Sequence, residues 1–158
     1  MCGICGVIYK NNVHTSEQAV KPMMEQMKHR GPNDSGVYCY QNLVLGFVRL
    51  SIIDLTDAGH QPMISEDENY VLVFNGEIFN YIELREELEQ LGVSFRTKTD
   101  TEVLLKAFIQ WGEAVQHKFN GMWAFAIFNK KEQTLFLSRD RYGIKPLYMM
   151  ENEHMIAF

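Results

Sequence analysis

The chain opens with MCGICGVIYK at residues 1–10, and this stretch decides which fold the sequence predicts. Only the initiator methionine precedes Cys2, so removal of Met1 would leave one residue with both a thiol and a free α-amino group. An α-amine titrates at about 7.7–8.0 and can accept a proton near neutral pH. A thiol beside such a base needs no distant histidine to become a nucleophile. Residues 3–9 follow as an apolar run and predict a buried strand. The structural alternative is a small cysteine that merely opens this strand.

Bulk composition is that of one ordinary globular domain. The chain has 158 residues, is 46% hydrophobic and carries a formal charge of −5, which fits a single domain with a real core. Lysines and arginines are scattered, which argues against nucleic-acid binding and polybasic membrane attachment. No apolar stretch approaches a membrane span, and the start lacks the pattern of a secretion signal. Three cysteines do not make a disulfide framework, so a cytoplasmic location is expected.

Cys2 and Cys5 also form a Cys-x-x-Cys pattern, so metal and redox functions have to be weighed. Structural zinc needs four nitrogen or sulfur ligands, and only Cys39 and five dispersed histidines remain. A redox pair usually begins a helix after a strand, whereas here the strand continues past the motif. We therefore expect no metal site, and we interpret Cys5 and Cys39 as inert thiols.

Apolar periodicity predicts an α+β fold in which strands outnumber helices. A first helix is predicted from Val20 to Met27, with Pro22 in its first turn. Further helices are predicted after Asn80 and after Thr99, where Thr-Asp-Thr-Glu has the form of a capping box. Strands are predicted at 3–9, 35–40, 43–49, 70–74, 121–129, 134–139, 147–150 and 155–158. Many of these strands are apolar on both faces. Two stacked sheets with helices outside them would account for that pattern.

Four polar segments interrupt this scaffold, and each has a structural and a functional interpretation. Arg49 ends an apolar strand and could pair with a structural carboxylate or grip an anionic ligand. Asn75-Gly76-Glu77 could be a strand-ending turn or two donors for an oxyanion. Asp100 could cap its helix or bind a ligand ammonium group. For Arg139-Asp140-Arg141 we expect a buried salt-bridge network.

Together these segments resemble the glutamine amidotransferase domain of asparagine synthetases, which is of class II and of the N-terminal nucleophile type. The resemblance covers essentially the whole chain. It rests on motifs in sequence order: MCGI (1–4), HRGP (29–32), RLSIID (49–54), QPM (61–63), NGEIFNY (75–81), TDTEVLL (99–105), GMWAFA (121–126) and RDRYGIKPLY (139–148). It implies a four-layer αββα N-terminal nucleophile hydrolase sandwich with two stacked, mainly antiparallel sheets.

The resemblance also implies a catalytic role for Cys2, Asn75 and Gly76. Cys2 would attack the side-chain amide of glutamine, with its own α-amine relaying the proton to the departing ammonia. The Asn75 side chain and the Gly76 N–H would hold the tetrahedral oxyanion.

Substrate binding is implied for a further set of residues. Arg49 would bind the α-carboxylate of glutamine, and Asp100 with Glu77 would receive the α-ammonium group. A zwitterion needs opposite charges at a fixed separation to orient its reacting amide. Backbone groups of four consecutive residues would complete the pocket: Leu50, Ser51, Ile52 and Ile53.

The implied reaction is hydrolysis of L-glutamine to L-glutamate and ammonia without any cofactor. We interpret residues 1–158 as one amidotransferase domain that stops near its C-terminal end, cut from a longer synthetase. The ATP- and Mg²⁺-dependent synthetase domain of such enzymes, which makes asparagine from aspartate, is expected outside this sequence, because no glycine-rich phosphate cradle is present. The resemblance also admits a homodimer. Two alternatives stay open: a parent enzyme that amidates another carboxylate such as a sugar acid, and a non-catalytic glutamine-binding module.

Overall fold

A computed structural model describes residues 1–11, 13–51 and 59–158 of the chain. The described residues form strands β1 Gly3–Tyr9, β2 Asp34–Tyr40, β3 Leu43–Arg49, β4 Met63–Ile64, β5 Tyr70–Ile78, β6 Gly121–Asn129, β7 Thr134–Arg139, β8 Met150–Glu151 and β9 Met155–Ala157. The α-helices are α1 Lys21–Met27, α2 Tyr81–Gln90 and α3 Asp100–Trp111, and short 3-10 helices cover Glu17–Ala19 and Gly112–His117. None of the helices in these described ranges is long and apolar enough to cross a membrane.

The strands form two antiparallel sheets. The first sheet has five strands in the order β2-β3-β1-β9-β8, and the second has four in the order β4-β5-β6-β7. In the first sheet Gly3 lies opposite Val48, which places Cys2 beside the end of β3. In the second sheet Asn75 lies opposite Ala124 near the centre of the β5–β6 pair. The two central strands, β1 and β5, therefore carry the two ends of the predicted site.

Three apolar clusters show how the layers stack. The middle cluster joins Phe47 and its neighbours in β3 to Val73 and its neighbours in β5, and so fills the space between the sheets. A second cluster packs α1 through Met24 against the outer face of the first sheet. A third packs α2 and α3 against the outer face of the second sheet. This order of layers confirms the predicted α+β, four-layer αββα sandwich.

Side-chain alternation along β1 separates two of the cysteines. Cys2 and Ile4 pack into the cluster between the sheets, whereas Cys5 and Val7 pack against α1 on the other face. Residues three apart on a strand point to opposite faces. The Cys-x-x-Cys pattern therefore does not form a dithiol pair, and all three cysteines are free.

Several predicted boundaries were wrong. The strand predicted at 70–74 continues to Ile78, so the Asn-Gly-Glu segment is strand and not a terminating turn. The strand predicted at 147–150 is replaced by the two residues of β8. The helix predicted after Asn80 ends at Gln90, and Leu91 just beyond it is exposed. The short strand β4 was not predicted, and residues 52–58 lie outside the described ranges.

Helix α3 begins with the predicted cap. The Thr99 hydroxyl accepts the backbone N–H of Glu102 at 3.2 Å, which satisfies one of the free donors of the first turn. The Glu102 carboxylate does not return to Thr99, as a full capping box would require. It instead accepts the N–H groups of Arg96 and Thr97 at 2.9 and 2.6 Å. The cap therefore fixes both the helix start and the loop before it.

Asp140 organises the turn after β7, but not as the predicted salt-bridge network. Its carboxylate accepts four backbone N–H groups, those of Trp123, Tyr142, Ile144 and Lys145, at 2.9–3.2 Å. Burial alone would raise its pKa, yet these donors together hold the pKa of Asp140 below its ordinary value. No ion pair among the described residues includes Asp140, and its arginine neighbours donate to backbone carbonyls.

Candidate active site

The residues predicted for the site converge on one cavity between the two sheets. It measures about 70 Å³ and is bounded by both sheets and by the first residues of α3. Seven predicted site residues line it: Cys2, Arg49, Leu50, Asn75, Gly76, Glu77 and Asp100. These residues are far apart in the sequence, so the fold itself assembles the site.

Cys2 sits at the end of the first sheet with its thiol held by Leu50. The Leu50 N–H points to Cys2 Sγ at 3.4 Å, and Sγ lies 3.7 Å from the Leu50 carbonyl oxygen. Burial is the largest influence on the thiol and raises its pKa above the ordinary value. The Leu50 N–H, the amino terminus and Arg49 act in the opposite direction. The thiol is therefore fixed in place but needs a nearby base to become a nucleophile.

Arg49 provides a cation next to the thiol. Its side chain is only 7% exposed, although it is fully charged at any physiological pH. The guanidinium lies directly against the backbone of Gly59, where an added Cβ would be 2.2 Å from Nη2. Only glycine allows this close approach. The carbonyl of Arg49 also accepts the Asn33 N–H at 3.0 Å, which anchors the end of β3.

Asn75 and Gly76 face the thiol from the second sheet. Asn75 is 4% exposed and lines the cavity from the face of β5 that looks toward the first sheet. Gly76 is tightly enclosed, since a Cβ there would lie 2.3 Å from the Met122 carbonyl oxygen and 2.6 Å from the Phe74 ring. An amide side chain followed by a backbone N–H at a glycine is a suitable donor pair for an oxyanion.

Asp100 and Glu77 form the acidic side of the cavity. Asp100 is 5% exposed, and its carboxylate accepts the Ile78 N–H at 3.1 Å. Burial raises the pKa of Asp100 to about 6, and the nearby Glu77 charge adds to that rise, while the Ile78 and Thr101 N–H groups oppose it. An anion that is costly to bury gains most from a ligand cation. This side is therefore suited to an ammonium group.

The predicted segment 50–53 is only partly described. Leu50 contacts the thiol, and the Ser51 N–H donates to Asn33 Oδ1 at 3.1 Å. Asn33 thus holds the chain just after Arg49 through its amide oxygen. Ile52 and Ile53 lie outside the described residues, so their predicted contribution to the pocket stays a prediction.

Among the described residues, the structure adds three polar side chains to the cavity that sequence reasoning did not single out: Gln61, Thr101 and Lys145. Gln61 is buried, its Oε1 accepts the Phe74 N–H at 2.6 Å, and its Nε2 reaches Thr101 Oγ1 at 3.5 Å. Gln61 thus ties β5 to the start of α3. Gln61 and Lys145 both occur in the motifs quoted above, which is the only signal for them in the sequence. Their burial and their position in the cavity wall are seen only in the structure.

Features of a metal or redox site are not found in the described ranges. They contain no group of three or more histidine, cysteine or acidic side chains placed to hold a metal ion. Cys5 lies in the core, where burial raises the pKa of its thiol to about 12. Cys39 is exposed on β2 and does not line the cavity. Of the three thiols, only Cys2 lines this cavity.

Comparison with known proteins gives a consistent family. The family model described as a glutamine amidotransferase domain matches residues 1–158. Asparagine synthetase [glutamine-hydrolyzing] 1 of Bacillus subtilis is 47% identical over the whole chain, which spans 25% of that protein. Putative asparagine synthetase [glutamine-hydrolyzing] 2 of Methanocaldococcus jannaschii is 42% identical over 94% of the chain and 32% of that protein. The chain therefore spans only about a quarter to a third of these relatives.

A solved structure supports the fold independently. Glutamine phosphoribosylpyrophosphate amidotransferase from B. subtilis, complexed with ADP and GMP, superimposes with a TM-score of 0.80. The match covers 99% of this chain and 41% of that one, at 20% sequence identity. At this identity the likeness establishes the N-terminal nucleophile hydrolase fold and nothing finer.

Proposed function

The chain belongs to the glutamine amidotransferase domain family, and we propose from this that it hydrolyses L-glutamine to L-glutamate and ammonia in the cavity that holds Cys2. One observation carries the proposal. One cavity between the sheets is lined by a thiol at the second residue and by three buried polar side chains. The thiol is that of Cys2, and the buried groups are the Arg49 guanidinium, the Asn75 amide and the Asp100 carboxylate.

The proposed chemistry begins once Met1 has been removed. The free α-amine of Cys2 takes the thiol proton as Sγ attacks the amide carbon of glutamine, so a C–S bond forms and the carbonyl oxygen becomes an oxyanion. Asn75 Nδ2 and the Gly76 N–H donate to that oxygen. The intermediate collapses, the C–N bond breaks, and the α-amine returns its proton to the departing ammonia. Water then hydrolyses the thioester to release glutamate.

Charge placement explains why free glutamine is the proposed substrate. Arg49 lies where it can bind the α-carboxylate in bidentate fashion, and Asp100 with Glu77 can receive the α-ammonium group. Because Arg49 ends β3 of the first sheet, whereas Glu77 lies in β5 of the second sheet and Asp100 begins α3, the two signs of charge can hold the two ends of the amino-acid backbone. The side-chain amide is thereby directed to the thiol.

We further propose that the ammonia serves an ATP-dependent synthetase domain of a longer protein. Support comes from the two relatives above, which bear the name asparagine synthetase and are three to four times longer than the matched region. ATP and Mg²⁺ would act in that domain and not here, and the amidated acceptor would be aspartate or another carboxylate such as a sugar acid. Three unpaired thiols support a location in the reducing cytoplasm.

A fusion whose extension is removable tests the proposed nucleophile. The chain is expressed without Met1, behind an extension that a site-specific protease cuts directly before Cys2. Glutamate release is measured before and after cleavage, with Cys2→Ala as the matched control. We expect release only after cleavage and only with Cys2. Equal rates for the cleaved chain and Cys2→Ala would contradict the mechanism, and glutamine binding without hydrolysis would identify a non-catalytic glutamine-binding module.

A further inference from the structure

Lys145 is a buried cation in the wall of the Cys2 cavity that the proposed reaction leaves without a role. Its side chain is 5% exposed. Its Nζ donates to the Met1 thioether, with Sδ at 3.4 Å, and none of the ion pairs within the described ranges includes it. A thioether is a weak acceptor, so this contact offsets little of the cost of burying an ammonium group. A lysine kept in such a place calls for a functional explanation.

The backbone of Lys145 is held in a fixed position. Its N–H donates to Asp140 Oδ2 at 2.9 Å, and its carbonyl accepts Arg139 Nε at 3.1 Å. Asp140 also accepts the Trp123 N–H at 3.2 Å, which ties the turn to the first part of β6. The side chain therefore starts from an anchored point and extends toward the amino terminus.

Removal of Met1 changes the surroundings of Lys145 directly. Met1 bridges the two groups in question, because its side chain contacts Lys145 Nζ and its carbonyl carbon is bonded to Cys2 N. Cleavage removes the thioether contact and converts Cys2 N into a free amine. The mature site then holds a lysine ammonium group and a new α-amine on residues that line the same cavity.

Among the described residues, charged side chains of both signs lie around Cys2. Arg49 and Arg30 are cations, the latter with its Nε donating to the Cys2 carbonyl at 3.2 Å, and Glu77 and Asp100 are anions. These four described side chains carry two positive and two negative charges, and glutamine itself is a neutral zwitterion. Lys145 adds a further positive charge to the described wall of the cavity that holds Cys2.

On the basis of the proposed function, we propose that Lys145 is a positioning residue that keeps the mature α-amine of Cys2 neutral and so able to accept the thiol proton. A neighbouring like charge disfavours protonation of the more weakly basic amine, here the α-amine and not the lysine. The same charge stabilises the thiolate that proton transfer creates.

The decisive measurement is titration of the α-amine itself. The mature chain, with removal of Met1 verified by intact mass, is labelled with [¹⁵N]cysteine, and the α-amine ¹⁵N shift is followed from about pH 5.5 to 9, a range that brackets the ordinary value of such an amine. We expect a midpoint about one pH unit below that of the same amine in a short peptide beginning Cys-Gly-Ile. A midpoint equal to that of the peptide would overturn the inference, and this measurement needs neither a variant nor activity.

Variants connect the titration to turnover. Lys145→Met should raise the α-amine midpoint and move the acidic limb of kcat by about one pH unit, with activity recovering at high pH. Lys145→Arg keeps the charge and should keep the wild-type profile, and the exposed Lys131→Met is the matched control. The kcat profile at saturating glutamine is used because bound substrate keeps Asp100 ionised.

The possible outcomes separate the two proposals. An equal loss of kcat at every pH in Lys145→Met, or an unmoved midpoint, would overturn the role of Lys145. Absence of glutamate release by the wild-type chain together with a depressed midpoint would instead contradict the proposed function. Thermal unfolding of each variant identifies any that do not fold, and Lys145→Gln then replaces Lys145→Met.

Discussion

The Asp100 carboxylate accepts the backbone N–H of Ile78 at 3.1 Å, which joins the first residue of α3 to the last residue of β5. β5 also carries Asn75 and Gly76, so one hydrogen bond connects the acidic side of the cavity to the proposed oxyanion donors. Movement of the helix start would therefore disturb both ends of the substrate site.

Glutamine binding should weaken as the pH falls through about 6. Asp100 has a pKa raised to about 6 by burial, and its protonation removes the negative charge that receives the ammonium group. In the Cys2→Ala chain, where no reaction occurs, the affinity should fall about tenfold per pH unit well below that midpoint. Calorimetric titration with glutamine across this midpoint, from acidic to mildly alkaline pH, measures this directly.

Asp100→Asn in the same background is the control for this prediction. Its amide oxygen can still accept the Ile78 N–H, but it carries no charge. Binding at about pH 7.5 should be weaker by a factor of about 10–100, the worth of a hydrogen bond to a charged group, and should show no step near the Asp100 midpoint. A retained step in the variant would assign the titration to another group.

The raised pKa of Asp100 also predicts how stability depends on pH. The folded chain binds this proton more tightly than the unfolded chain does, so the free energy of unfolding falls as the pH rises from about 4 to above 6. Asp100→Asn should therefore increase the free energy of unfolding by about 2 kcal/mol at about pH 7.5 and by little at about pH 4. Urea unfolding at both pH values checks the sign, and an equal effect at both would contradict it.

Asn75→Ala should lower turnover much more than binding. The side chain is placed to donate to an oxyanion that exists only during the reaction, so its loss should cost about 3 kcal/mol of transition-state stabilisation, or roughly 10²–10³ in kcat. Steady-state kinetics of glutamate release provide the test. A rise in KM with unchanged kcat would instead indicate that Asn75 contributes only to substrate binding.

Gly76→Ala should destabilise the fold as well as the site. The added methyl group would meet the Met122 carbonyl at 2.3 Å, and backbone atoms of a paired strand cannot easily yield. Overpacking of this kind costs about 1–3 kcal/mol. Gly92→Ala is a useful comparison, since nothing lies within 4 Å of the position that its methyl group would take and only the positive φ of 86° opposes the change. If Gly76→Ala had the same midpoint of denaturant unfolding as the wild-type chain, the proposed steric clash of the added methyl group would be contradicted.

Asp140→Ala should be among the most destabilising single substitutions in this domain. It leaves up to four backbone N–H groups without their acceptor, and each buried donor left unsatisfied costs about 1–3 kcal/mol. Asp140→Asn keeps one acceptor oxygen and should therefore lose clearly less stability than Asp140→Ala. The two midpoints of thermal unfolding, compared with wild type, test this order. Equal midpoints for the two variants would mean that solvent satisfies the donors.

Local patterns predicted the parts of the fold that depend on local physics. The strand after Cys2, the strands at 35–40 and 43–49 and the Thr99 cap are all encoded within a few residues, and the structure has each of them. The layer order followed from strands that are apolar on both faces. The resemblance gathered the site residues, and the described structure brings seven of them into one cavity.

The errors concern features that only tertiary contacts decide. Asn75-Gly76-Glu77 has the composition of a turn, yet pairing with Trp123 and its neighbours in β6 keeps it extended to Ile78. Arg139-Asp140-Arg141 has alternating charges that suggest ion pairs, but converging backbone N–H groups satisfy the carboxylate first. The burial of Lys145 was not predicted, because it depends on the turn around Asp140 from which the side chain extends inward.

The cavity takes one wall from each sheet, and this arrangement has a consequence for how the domain works as a whole. Neither half of the sandwich has a reaction of its own, because the sulfur belongs to one layer and the proposed oxyanion donors to the other. The proposed glutaminase turnover would therefore report whether the two layers are correctly packed against each other. A shift of one sheet by a single residue relative to the other would abolish the proposed activity even if every strand remained intact.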